Sequence, residues 1–122
     1  MAELTLSARV STTIDGLTTS ASATQVTTVR EYIELTKDVS GSTSQVWNGG
    51  WGFCVVVNTG DVEMIAEIGI AAEFMVFSVP AGAHLVLPNA VAQISGDIQA
   101  ANGLSLYTAS GSSRALVLIG IW

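Results

Sequence analysis

The sequence predicts a single domain of the all-β class, with an antiparallel β-sandwich or jelly-roll-like fold. Apolar residues recur with a period of two in short stretches, which is the pattern of half-buried strands. Turn-forming residues separate these stretches at short intervals, so neighbouring strands are expected to run antiparallel. No window combines a sustained 3.6-residue period with helix caps. The chain has 122 residues, the length of one domain, and its 49% hydrophobic and 11% charged residues exclude a disordered chain.

The N-terminal part of the chain predicts a strand followed by a loop. Residues 1–14 contain a clean alternation, whereas residues 15–24 are rich in Ser, Thr and Ala without strong periodicity. The alternation predicts one half-buried strand that ends at the turn signal Asp15-Gly16. The residues that share its apolar face are Leu4, Leu6, Ala8, Val10 and Ile14. We expect residues 15–24 to form a loop or a weak edge strand, and residues 26–36 to resume as a strand.

The middle of the chain combines a long irregular segment with a buried strand. Residues 38–51 are punctuated by Gly and Asn and are predicted to form a loop, which contains Trp47 and ends at Trp51. Residues 53–57 are a continuous apolar run, which is typical of a strand covered on both faces. Residues 58–61 are predicted to close a hairpin with the strand that follows.

The C-terminal part, residues 53–122, is predicted to be a compact meander of hairpins. Its main turn signals are Val79-Pro80-Ala81-Gly82, Asn102-Gly103 and Ser110-Gly111. We expect the segments on either side of each signal to pair as neighbours, which gives eight to ten strands in the whole chain. Residues 65–74 also fit a helix, but Gly69 and the β-branched residues beside it favour a strand.

The charge balance bears on which partners the protein can have. Four basic residues stand against ten acidic ones, for a net charge of −6. Such a chain repels phosphate, so we expect it to bind neither nucleic acid nor anionic membranes. Residues 74–96 are long enough to span a bilayer, but Pro80 and Pro88 interrupt them and favour consecutive strands. Residues 1–10 contain no apolar run, so no signal peptide is expected.

No residue pattern predicts a catalytic, metal or cofactor site. His84, the single histidine, lies beside a turn, and the sequence has no nucleophile-elbow motif. Cys54 lies in an apolar run without basic neighbours, which favours a buried small side chain over a reactive thiol. Glu63 and Glu67 are four residues apart on one strand, hence about 13 Å apart, which is too far for a catalytic pair. The sequence therefore predicts a non-enzymatic protein without a cofactor.

Three features predict an interaction surface. Trp47 and Trp51 flank an Asn-Gly-Gly loop, where they can pack over the end of the sandwich, anchor a subunit interface or stack on sugar rings. The final strand, residues 115–122, is apolar on both faces, and we expect it to be an edge that another copy or a partner covers. Only Asp97 and Arg114 are charged from residue 74 onward. The candidate interface residues are Trp47, Trp51, Leu116, Leu118, Ile121 and Trp122.

One order of motifs in the second half of the chain is typical of a known group of proteins. A strand that ends in an Asn-Thr-Gly turn is followed by a Phe-rich strand, a Val-Pro-Ala-Gly turn and a Leu-Val-Leu segment. These motifs are Asn58-Thr59-Gly60, Phe74-Met75-Val76-Phe77, Val79-Pro80-Ala81-Gly82 and Leu85-Val86-Leu87. In this order residues 53–122 resemble the small β-sandwich structural proteins of tailed bacteriophages, and in size and composition the chain is most similar to a capsid decoration, or cement, protein.

The resemblance implies a virion structural protein that binds the outer capsid surface and stabilises the shell by bridging subunits. It also implies a homo-oligomer, most simply a homotrimer, with the major capsid protein as partner. Its place would be the capsid exterior, after synthesis in the host cytoplasm. A head fibre, collar or tail component of the same virion is one alternative. A carbohydrate-binding module that uses Trp47 and Trp51 is a hypothesis from a different class.

Overall fold

The structure is all-β, as the sequence predicts. The computed structural model describes residues 2–70, 73–88, 91–94, 97–100 and 102–121, and these ranges contain twelve strands and no helix. The strands are β1 (Ala2–Ile14), β2 (Leu17–Val29), β3 (Glu31–Val39), β4 (Ser44–Trp47), β5 (Phe53–Asn58), β6 (Met64–Ile70), β7 (Glu73–Val79), β8 (His84–Pro88), β9 (Val91–Ile94), β10 (Asp97–Ala100), β11 (Leu104–Tyr107) and β12 (Ser113–Ile121).

Eight of these strands form two four-stranded antiparallel sheets, which confirms the predicted β-sandwich. One sheet has the order β4-β11-β6-β7 and the other has the order β3-β12-β5-β8. Side chains from the facing sides of the two sheets form the core, which is how sandwiches bury their apolar surface. The buried core residues are Val39, Trp51, Cys54, Val56, Met64, Ala66, Ile68, Ile70, Val79, Leu87, Leu104, Leu106, Ala115, Val117 and Ile119.

Period-two alternation determines what each strand gives to this core. In β6, Met64, Ala66 and Ile68 are buried, whereas Ile65 and Glu67 between them are partly exposed. Successive side chains of a strand point to opposite faces, so one face of β6 lies on the core and the other points outward. In β5 the first four residues are all buried, as its continuous apolar run predicted.

The first hairpin decides between the two alternatives for residues 15–24. Of the loop and the weak edge strand that were expected there, the structure has an edge strand, because β2 begins at Leu17 and, among the described strands, pairs only with β1, over its full length. Asp15 and Gly16 both have positive φ angles, 52° and 79°, which is the two-residue turn that suits a twisted hairpin. The Ser- and Thr-rich composition hid β2 because it lacks apolar alternation. The predicted loop 38–51 likewise contains the end of β3 and the short strand β4.

Four predicted hairpins are instead connections between sheets, and one of them is the Ser110-Gly111 turn, which joins β11 to β12. The turn at residues 58–61 joins β5 to β6, and the turn at residues 79–82 joins β7 to β8, yet the members of each pair lie in different sheets. The Asn102-Gly103 signal leads from β10, which pairs with β9, into β11, which pairs with β4 and β6. A turn signal predicts that the chain reverses direction, but the partner of the returning strand depends on which apolar faces meet.

The last strand is not the exposed edge that the sequence suggested. β12 pairs with β3 on one side and with β5 on the other, so its backbone groups take part in two ladders. Its two apolar faces do follow the predicted alternation. Val117 and Ile119 are buried in the core, whereas Leu116 and Leu118 are partly exposed.

Candidate interaction surfaces

The outward face of the β3-β12-β5-β8 sheet carries a row of aliphatic side chains across three strands. The register places Leu116 opposite Val57, Leu118 opposite Val55, and Val55 opposite Val86. We call Leu116, Leu118, Val55, Val57 and Val86 the aliphatic patch. Val86 on the edge strand β8 is 47% exposed, Leu116, Leu118 and Val57 are half-buried, and Val55 is buried. The patch lies on three strands that pair with one another in the sheet.

Polar groups border the aliphatic patch along β3. Asp38 accepts a hydrogen bond from Nε of Arg114 at 3.0 Å, and both side chains are exposed. The hydroxyl of Tyr32 donates to Glu34 at 3.2 Å. Exposed pairs of this kind contribute little to stability, because water screens them. An apolar centre with a polar rim is the usual anatomy of a protein–protein interface.

The two tryptophans do not belong to this surface. Trp51 is 4% exposed and lies in the core, so its ring offers no open face to a sugar or to a partner. Trp47 is half-buried against the same core, and its indole Nε1 donates to the carbonyl of Gly50 at 3.1 Å. Of the three alternatives that the sequence left open, packing within the sandwich is the one that these positions fit.

The last two candidate interface residues are Ile121 and Trp122. Ile121 is on the core-facing side of β12 and packs against the core. Trp122 lies outside the residues that the structure describes. The structure thus brings Leu116 and Leu118 together on one outward face, without the tryptophans that the structure describes or Ile121.

Sequence reasoning missed the other members of the aliphatic patch and a second exposed apolar pair. The signal for Val55 and Val57 was present in the apolar run of β5, but the run did not show that one of its faces points outward. On the edge strand β7, Phe74 and Val76 are exposed as well. Their strand contains four apolar residues in succession, so the sequence alone shows neither which side chains face outward nor which sheet edge the strand occupies.

A buried asparagine organises three chain connections around the core. Asn58 is fully buried, and its Nδ2 donates to the carbonyls of Val62 at 2.8 Å and Val79 at 2.9 Å. Its Oδ1 accepts from the amide of Gly60 at 3.1 Å and from the hydroxyl of Ser113 at 2.7 Å. All four hydrogen-bonding positions of the amide are therefore used. The sequence presented Asn58 only as a turn residue.

The groups with reactive potential lie in unreactive surroundings. Burial raises the pKa of the Cys54 thiol from 9.0 to about 12, so the thiol stays protonated at neutral pH. His84 is exposed at the start of β8. Within the described ranges, no group of three or more His, Cys, Asp or Glu side chains is arranged to hold a metal ion. The same ranges contain no helix that could cross a bilayer.

The fold and the patch together define a β-sandwich domain with an apolar outward sheet face. No protein-family model matches the chain, and no curated protein matches its sequence. The resemblance to phage structural proteins therefore rests on the motifs of residues 53–122 alone and stays a prediction.

Proposed function

We propose that this protein is a non-enzymatic structural component of a tailed-phage virion, which binds the outer capsid surface and bridges neighbouring subunits. The observation that carries the proposal is the aliphatic patch on the outward face of the β3-β12-β5-β8 sheet. Apolar surface with a polar rim on a small domain marks a site of protein contact. The patch gives the protein an uncharged apolar surface with which it can contact a shell.

The paired strands of the sheet order the aliphatic patch before a partner binds. β12 and β5 are hydrogen-bonded on both sides, so the side chains of Leu116, Leu118 and Val55 project from a fixed backbone. A surface that is ordered before binding loses less conformational entropy on binding. The charged groups of β3 lie at the rim, where they orient a partner more than they strengthen binding.

The physical role follows from linkage. A ligand that binds only the assembled shell stabilises that shell by mass action. Copies that are held together in an oligomer bind a lattice with an increased effective concentration. The net charge of −6 keeps the protein away from packaged DNA, so the partner is the major capsid protein on the exterior of the virion.

The carbohydrate-binding alternative has less support. Stacking on a sugar ring needs an exposed aromatic face, and Trp51 lies in the core. Trp47 is half-buried and uses its indole N–H within the chain. A head-fibre, collar or tail protein also needs an apolar contact surface. The binding experiment that follows distinguishes these roles from capsid binding.

The test uses empty shells of the phage whose genome carries the gene, prepared without this protein. Purified protein is added, co-sedimentation is measured, and the temperature of heat-induced genome release is measured on filled particles. Val86→Glu places a charge in the patch at an exposed position of an edge strand. Ser78→Glu is the matched control, because Ser78 is exposed on an edge strand of the other sheet.

We expect the wild-type protein and Ser78→Glu to co-sediment with shells and to raise the release temperature. Val86→Glu should bind at least tenfold more weakly, because a carboxylate would be desolvated in the contact. Binding to tails or necks but not to shells would contradict the capsid role. Equal binding of both variants would remove the aliphatic patch from the contact.

A further inference from the structure

We infer that the β1–β2 hairpin is a self-association arm, which packs its apolar face on the hairpin of a second copy of this chain. The inference rests on the geometry of the chain and does not depend on the proposed function. The hairpin is long, because thirteen residue pairs run without a bulge from Ala2 and Val29 to Ile14 and Leu17. At about 3.3 Å per residue it is about 43 Å long.

The hairpin has no support from the sandwich in the described part of the chain. Its two strands form a sheet of their own, with no third strand. Every hairpin side chain whose burial the structure describes is exposed. A two-stranded hairpin is marginally stable at best in water, and a third strand or a packed face is needed for stability. A ribbon of this length therefore requires a covering surface.

The two faces of the hairpin differ in chemistry. One face carries mainly hydroxyl side chains, together with Glu3, Arg9 and the exposed Val26. Its hydroxyls bond across the strands between Thr13 and Thr18 at 2.9 Å and between Ser7 and Thr24 at 3.4 Å. Such exposed bonds exchange with water and contribute little to stability.

The other face is apolar at the tip and at two alanines, with the pair Thr12 and Thr19 between them. Ile14 and Leu17 pair at the tip and are 67% and 73% exposed. Ala21 and Ala23 follow on the same face and are exposed. The small alanine side chains let a second backbone approach closely. This face, which we call the alanine face, is the one that packing on another copy would cover.

The chain exposes more surface than a compact monomer of the same mass. The chain exposes 7347 Å². A compact monomer of 12.6 kDa exposes about 6200 Å² by the size scaling of folded proteins, so this chain exposes about 1100 Å² more. A standard stable interface buries about 800 Å² on each partner. The excess surface is thus sufficient for one stable interface.

The distribution of charge favours a second copy as that partner. Residues 2–30 contain two acidic and two basic residues, Glu3, Asp15, Arg9 and Arg30, and are neutral. The rest of the chain holds the other eight acidic and two basic residues, so it carries the whole charge of −6. Two copies that meet through their sandwiches would bring like charges together, which is unfavourable. The neutral hairpin allows two copies to meet without that repulsion.

The experiment compares two double substitutions that differ only in the face they alter. Ala21→Glu with Ala23→Glu puts charge on the alanine face. Ser20→Glu with Ser22→Glu puts the same charge on the hydroxyl face of the same strand and is the matched control. Light scattering at micromolar concentration gives the mass of each protein. Far-UV circular dichroism and the protection of Cys54 from a thiol reagent confirm that the sandwich is folded.

We expect the wild-type protein and the variant with Ser20→Glu and Ser22→Glu on the hydroxyl face to form an oligomer. The variant with Ala21→Glu and Ala23→Glu on the alanine face should scatter as a 12.6 kDa monomer. A second variant, Ile14→Ser with Leu17→Ser, removes exposed apolar surface and so does not endanger folding. It should weaken self-association at least tenfold. A monomeric wild-type protein overturns the inference, whether or not shells later cover the hairpin. The inference is also overturned if the mass is unchanged both in Ala21→Glu with Ala23→Glu and in Ile14→Ser with Leu17→Ser. It is overturned as well if only Ser20→Glu with Ser22→Glu loses the oligomer.

Discussion

At the scale of single residues, Asn58 holds together parts of the chain that are far apart in sequence. It connects the turn after β5 with Val79 at the end of β7 and with Ser113 at the start of β12. Gly60 allows this turn to lie against β12, because a Cβ on Gly60 would be 2.8 Å from the amide nitrogen of Arg114. A larger side chain at residue 60 would clash with β12, and an apolar side chain at residue 58 would leave buried polar groups without their partner.

Substitution of Asn58 tests this role. Asn58→Ala removes four side-chain hydrogen bonds and leaves Ser113 and Gly60 without this acceptor in a buried site. We expect a loss of about 3 kcal/mol in the free energy of unfolding, measured by urea denaturation. Asn48→Ala, at an exposed position, is the control and should change stability by less than about 0.5 kcal/mol. A loss for Asn58→Ala no larger than that of the control would contradict the role.

Cys54 predicts a pH dependence in the alkaline range. Its pKa is raised from 9.0 to about 12 by burial, so between these values the unfolded chain releases a proton that the folded chain retains. The contribution of the buried thiol to stability is full below pH 9 and is lost as pH rises toward 12, by about 1.4 kcal/mol per pH unit.

The measurement is urea unfolding at a series of pH values from 8 to 11. The difference in stability between the wild-type protein and Cys54→Ala should shrink as pH rises through this range. Because the two proteins share every other titrating group, their difference isolates the thiol. A constant difference would show that the thiol titrates alike in the folded and unfolded chains.

At the scale of elements, the two faces of β12 have different roles. Its core-facing residues stabilise the sandwich, and its outward residues belong to the aliphatic patch. Ile121 and Leu118 are both half-buried, but they lie on opposite faces of the strand. The two positions therefore report on different functions of the same element.

Alanine at Ile121 should mainly reduce stability, whereas alanine at Leu118 should mainly reduce shell binding. Ile121→Ala removes packing on the core, and we expect a loss of about 1–2 kcal/mol in unfolding free energy with unchanged affinity for shells. Leu118→Ala should reduce shell binding more than it reduces stability. Thermal unfolding and co-sedimentation, carried out on both variants, provide the comparison. If both variants changed stability and shell binding to the same extent, the two faces of β12 would not have different roles.

At the scale of the whole molecule, the chain has two parts with different sources of stability. The sandwich has a core of its own, whereas the β1–β2 hairpin has none among the described residues. If a second copy covers the hairpin, its protection depends on protein concentration and that of the sandwich does not.

Hydrogen exchange of the wild-type protein tests this at two concentrations. On hundredfold dilution, amides in β1 and β2 should exchange at least tenfold faster, because the oligomer dissociates. Amides in β5 and β12 should exchange at the same rate at both concentrations and serve as the internal control. Hairpin exchange that is independent of concentration would show that the hairpin is stable without a partner.

The candidate surface was only partly predictable from the sequence. Leu116 and Leu118 were recognised because the last strand is apolar on both faces. Val86 and Val57 were not, because their place beside these leucines depends on the pairing of β5 with β12 and β8. Trp51 was ambiguous, since a tryptophan beside a glycine-rich loop fits a core position as well as an exposed one. In each case the missing information was the identity of a neighbour distant in sequence.

The sequence by itself determined the all-β class, the positions of most strands and turns, and the residues that alternate into the core. These features follow from side-chain periodicity and from the backbone preferences of a few neighbouring residues, which are local properties. The tertiary structure decided which strands pair, that β12 is an interior strand, and that the segment after Asp15-Gly16 is a strand. Strand pairing is a contact between distant segments, and it is fixed by which apolar faces bury each other best, so no short stretch of sequence contains it.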